Sequence, residues 1–162
     1  MNKRLVLGII YLIGCVGLLV SEFLPVLRLT IFAGGETIEA NFMVYTISKL
    51  IALGLALIAI FGIVFLLRGK RISPLVMGIV ATIMVFVVKG MSTLTGNAAL
   101  LGSDRIRQLT EIYGILEPGS DALFSLEVTT QFGFFFILFS AISMLLAATF
   151  TLLFTEEPRS TW

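Results

Sequence analysis

Four apolar runs, each long enough to cross a bilayer and separated by polar breaks, constrain this chain more than anything else in it. They cover residues 5–24, 45–67, 74–94 and 132–154. A hydrocarbon core about 30 Å thick needs roughly twenty apolar residues in a helix. No water is available there, so every backbone polar group must be satisfied within the segment, and a helix does that. The expected class is therefore an all-α membrane protein, with residues 1–162 forming one integral membrane domain. Composition agrees: 58% of the residues are hydrophobic and the mean hydropathy is +1.08, against about 45–50% apolar in soluble domains.

Basic residues set the expected orientation. Lys3, Arg4, Arg68, Lys70, Arg71 and Arg159 fall on one side of the spans, and Arg28, Arg105 and Arg107 on the other. Lysine and arginine near span ends favour the cytoplasm. Both termini and the basic turn at 68–71 are thus expected inside, in a multi-pass protein of the cell membrane. The loops at 25–44 and 95–131 are expected outside.

The first outer loop reads as a β-hairpin. Val26 to Phe32 is rich in β-branched and aromatic residues, with Arg28 and Thr30 alternating against apolar neighbours. Gly34-Gly35 suits a tight turn. Thr37 to Phe42 alternates on the way back. Pro25 biases Leu24 away from helix and so ends the first span. The second outer loop predicts one short amphipathic helix. Ser103 is its N-cap, Ile106, Leu109, Ile112, Tyr113 and Leu116 its apolar stripe, and Pro118-Gly119 its end. Residues 123–130 fit a helical extension of the last span or a third strand. The strand is favoured, because a lone hairpin is marginal in water.

The Leu12-Ile13-Gly14-Cys15 stretch resembles a lipoprotein processing site, but the run continues apolar through Val20. A cysteine buried in mid-helix is the favoured reading. No convincing cleavage site for a secretory signal follows the first run.

The layout resembles a set of small uncharacterised bacterial membrane proteins with four spans. The residues that carry it are Phe23-Leu24-Pro25 closing the first span, Gly34-Gly35 in the hairpin, and Phe132-Gly133-Phe134 opening the last span. Val26 stands where those proteins often have Trp. The resemblance implies a four-helix membrane protein and no activity. The outline is also similar to claudins and other eukaryotic tetraspan proteins. Their extracellular Trp and paired Cys are absent, so nothing is carried over from them.

Charged residues near the span ends supply the candidate site: Glu22, Lys49 and Lys89. At about 1.5 Å per helical residue, Leu5 to Glu22 is roughly 26 Å, Arg68 back to Lys49 roughly 28 Å, and Arg71 to Lys89 roughly 27 Å. All three therefore lie at one level near the outer edge of the core. Lysines snorkelling to headgroups are the plainest account. An ion pair with Glu22 is the second, and an anionic-ligand site the third.

Small residues also recur on one face of a helix. Gly14, Gly17 and Ser21 do so in the first span, Ala52, Ala56 and Ala59 in the second, and Ser140, Ser143, Ala147 and Thr151 in the fourth. Such faces let helices approach closely.

Other chemistry has little to work with. The chain has no His and one Cys, so it lacks a Ser-His-Asp or Cys-His set and a cysteine-based metal site. The outer acids Glu36, Glu39, Glu111, Glu117, Asp121 and Glu127 read as a solvated surface. No catalytic residue, cofactor or metal is expected. A net charge of +1 argues against a nucleic-acid partner. The expected partners are the bilayer and either another membrane protein or further copies of the chain. The leading function is a non-enzymatic accessory or interaction protein. An oligomeric pore or small transporter subunit is the alternative, and a membrane enzyme comes third.

Overall fold

A computed structural model describes residues 3–33, 36–69, 72–102 and 125–154. The elements run α1 (Lys3–Ser21), β1 (Pro25–Ala33), β2 (Glu36–Met43), α2 (Val44–Ile47), α3 (Lys49–Leu67), α4 (Ile72–Leu101), β3 (Ser125–Thr130) and α5 (Phe132–Phe154). Four of the helices are long and apolar enough to cross a membrane. The Gly34-Gly35 turn and the amphipathic helix expected after Ser103 lie outside the described residues.

α1 packs on α3 and α5, and α4 packs on the same two, so α1 and α4 stand across the bundle from each other. The centre is closed by side chains. Tyr11, Leu18, Leu55, Ile137 and Met144 are all nearly inaccessible. Tyr11 also bridges the diagonal, its hydroxyl donating to the Pro74 carbonyl at 3.2 Å. Cys15 is fully buried in this core.

The small residues of α1 and α5 do meet. A Cβ added at Gly14 would lie 2.8 Å from the Ser140 carbonyl oxygen, and one at Gly78 of α4 would lie 2.9 Å from the Leu145 Cα. These are approaches to backbone, which flexible side chains cannot relieve. At the other end of α3, Gly69 takes φ +66°. That left-handed conformation ends helices and carries no penalty for glycine.

Three span ends differ from the sequence expectation. The first helix stops at Ser21 rather than at 24. Two turn bonds, Phe23 N–H to the Val20 carbonyl and Leu24 N–H to the Ser21 carbonyl, carry the chain into Pro25. The second span is broken at Ser48, whose backbone is extended and whose side chain accepts from the Ile51 N–H. Serine is a favoured N-cap, so α3 restarts there as a new helix. The third is much longer than 74–94. At 30 residues it runs about 45 Å, past a hydrocarbon core of about 30 Å. Along its polar stretch the Thr93 and Thr95 hydroxyls turn back to the carbonyls of Lys89 and Met91.

The extension of α4 is the shelf on which a three-stranded sheet rests. The strand order is β2-β1-β3, and both pairings are antiparallel. The favoured third strand is thus present at Ser125–Thr130. A bulge at Val26 interrupts the pairing, and the Val26 carbonyl accepts from the Gln131 N–H at 3.0 Å. This bond ties β1 to the start of α5. Gly133 completes the joint: a Cβ there would stand 2.6 Å from the Pro25 carbonyl oxygen.

Strand alternation sorts the sheet into two faces. Leu27 and Leu29 are buried on the side facing the bundle, where Gly96 of α4 meets Val128. Arg28 and Thr30 stand on the other face, in register with Asn41 and Glu39 on β2 and with Thr129 and Glu127 on β3.

Candidate functional site

The three charges singled out from sequence do lie near the sheet end of the bundle, but on different elements. Glu22 follows the last turn of α1, Lys49 is the first residue of α3, and Lys89 lies within α4. None forms an ion pair with another, and neither lysine reaches a carboxylate of the described residues. The bundle order gives one reason: α1 and α4 are diagonal, so Glu22 and Lys89 project from opposite corners.

Each charge has its own environment. Lys49 is exposed at the helix start. Glu22 is half-buried, and its Oε1 is closed to solvent without a hydrogen-bond partner among the described residues. Burial raises its carboxyl above the ordinary carboxylate range, because the charged form loses hydration. Lys89 has the most definite surroundings. Its Nζ donates to Thr130 Oγ1 at 3.1 Å and stands 5.2 Å from the centre of the Phe134 ring. The ammonium is thus held by a strand hydroxyl and an aromatic face.

Lys89 lies at the edge of a recess of about 240 Å³ between α4 and the sheet. α4 contributes Lys89, Ser92, Thr93 and Asn97, and β3 contributes Val128 and Thr130. Ser92 is only 4% exposed. Its Oγ has no hydrogen-bond partner among the described residues. The neighbouring Thr82, Thr93 and Thr95 hydroxyls all donate to the carbonyl four residues earlier. Ser92 alone of these four leaves its hydroxyl unspent beside the recess.

Sequence reasoning found Lys89 and missed the hydroxyl and amide groups around it. The missed signal was helical spacing. Ser92, Thr93 and Asn97 follow Lys89 at three, four and eight positions, which places them along one side of α4 if the helix continues. Reading 95–131 as loop hid that continuity. Thr130 falls on the expected third strand, but no local pattern pairs it with Lys89 across the sheet end.

The sheet's far face carries the other polar cluster. Arg28 Nη1 lies 3.1 Å from Glu39 Oε2, and Arg28 Nε donates to Asn41 Oδ1 at 3.2 Å. These groups are partly exposed and satisfied among themselves.

Compared with protein-family models, curated proteins and solved structures, the chain matches none of them.

Proposed function

We propose that this chain is a non-enzymatic accessory protein of the cell membrane, with both termini cytoplasmic and an outer cap that meets a partner. The observation that carries the reading is the two-faced sheet. Its apolar side is fastened to α4 and α5, while Arg28, Glu39 and Asn41 are held in a fixed array on the opposite side. Anchoring removes much of the ordering cost that a loose loop pays on binding. The exteriors of the four long helices carry exposed Leu, Ile, Val and Phe, a surface suited to lipid. The charge bias of the loops supports the orientation.

Two measurements test this. A cysteine at Thr37 should react with an impermeant reagent on intact cells, and one at Gly69 should not. The reverse pattern overturns the orientation. A photo-crosslinker at Asn41 should give a discrete protein adduct in cells, and one at Phe139 on the exterior of α5 should not. Equal adducts from both positions remove the cap as the meeting surface.

The alternative is an oligomeric pore or small transporter subunit. The centre of one bundle is filled by side chains, so a water path in that reading would run between copies. A symmetric ring after detergent extraction favours it over an accessory protein.

A further inference from the structure

The recess between α4 and the sheet goes beyond the partner reading and does not depend on it. Four observations converge there. First, Lys89 supplies a positive charge that no carboxylate of the described residues neutralises. Second, Thr130 already holds the ammonium at the rim. Third, Ser92 carries a buried hydroxyl in the adjoining wall without a partner among the described residues. A buried polar group left unpaired is costly, so an oxygen-rich ligand would relieve it. Fourth, the level is right for a headgroup. Lys89 is about 26 Å along α4 from Ile72, near the edge of a hydrocarbon core about 30 Å thick.

We propose that this recess binds a phosphate group, with Lys89 Nζ and Thr130 Oγ1 contacting its oxygens and Ser92 turning its hydroxyl to it on binding. Asn97 and Thr93 extend the polar wall toward the sheet end. Leu27 and Val128 oppose it with apolar surface. The volume of about 240 Å³ falls below the roughly 300–1,000 Å³ of sites for drug-sized ligands. It therefore suits a single headgroup or a free anion. The phosphate has two sources, an anionic phospholipid or inorganic phosphate, and both present the same oxygens to the same residues.

The test uses the purified full chain in neutral detergent. Phosphatidylglycerol, diacylglycerol and inorganic phosphate are titrated separately, and binding is read by thermal shift and native mass spectrometry. Saturable stabilisation by phosphatidylglycerol but not by diacylglycerol assigns the site to a lipid headgroup. Stabilisation by inorganic phosphate alone assigns it to a free anion. In either case Lys89→Met should weaken binding at least about tenfold, the size of one charge-assisted hydrogen bond. Ser92→Ala should weaken it several-fold while leaving the ligand-free melting temperature unchanged or higher, since it deletes only an unpaired hydroxyl. Ser92→Ala also guards against a Lys89→Met variant that fails to fold. The proposal is overturned if neither phosphate source stabilises the protein or diacylglycerol binds as well as phosphatidylglycerol. Unchanged binding by the folded variants overturns it equally.

Discussion

The seams along α5 and the layer where the helices meet the sheet are built on opposite terms. Along the seams, glycine, serine and alanine let backbones nearly touch, and the Thr149 and Thr151 hydroxyls are spent on carbonyls of their own helix. Ser140 lies buried against Gly17, and Thr149 donates to the Leu145 carbonyl. At the sheet end, Glu22 Oε1 and Ser92 Oγ are shut from water without partners among the described residues, and Lys89 has no carboxylate there. A region that serves only cohesion has no reason to leave such groups unspent. The contrast separates the part of the molecule that holds it together from the part with unused chemistry.

The largest effect should come from filling a seam. In Gly78→Val the new Cβ would meet the Leu145 Cα at 2.9 Å and its N at 3.1 Å. Overpacking against atoms that cannot rotate away costs about 1–3 kcal/mol. Gly90→Ala is the matched control, because nothing lies within 4 Å of its added Cβ. It should be neutral or should gain up to about 1 kcal/mol from helix propensity. Denaturant unfolding in detergent compares the two. Equal stabilities would mean that α4 and α5 do not pack at this distance.

The seams were partly legible in the sequence because small residues at helical spacing have one common use. Gly14, Gly17, Ser140 and Ala147 all fall at buried positions. The hairpin was legible because its pattern alternates and its turn residues are specific. The sheet-end layer was less so. Its geometry depends on α4 continuing past Leu94, and Thr95, Gly96 and Asn97 read locally as a loop. Packing of Val128 against Gly96 supports the longer helix, and that contact joins residues more than thirty positions apart. Equal depth placed Glu22 and Lys89 at one level but says nothing of which corner each occupies. That is why an ion pair looked reasonable from sequence and does not form.

A smaller effect is expected at Glu22. Its carboxyl is raised above the ordinary range by burial. For an acid, a raised folded value means that the folded state holds the proton more tightly than the unfolded one. The group's contribution is fully present below the unfolded value and is lost as pH rises through the folded value. At neutral pH Glu22 therefore contributes less to the fold than it does in acid. Glu22→Gln should raise the melting temperature at pH 7, and the difference should vanish as pH falls below the ordinary glutamate range. A variant that melts lower than wild type at pH 7 would show that Glu22 has a favourable charged partner after all.

The smallest effect should fall on the sheet's far face, although it holds the one ion pair among the described residues. Arg28 pairs with Glu39 at 3.1 Å and donates to Asn41 at 3.2 Å, so Arg28→Ala removes both interactions. The Arg28 and Glu39 side chains are 36% and 46% exposed, however. Water solvates both charges once they separate, and ordering two long side chains has already cost entropy. Exposed pairs of this kind contribute about 0.2–1 kcal/mol. Arg28→Ala should therefore shift unfolding by no more than that, and the shift should shrink further in high salt. It should nevertheless abolish a discrete crosslink from Asn41, if the array is the surface that a partner reads. A loss of several kcal/mol would mean instead that Arg28 holds the sheet together. The far face would then belong with the seams, as structure rather than as a surface for recognition.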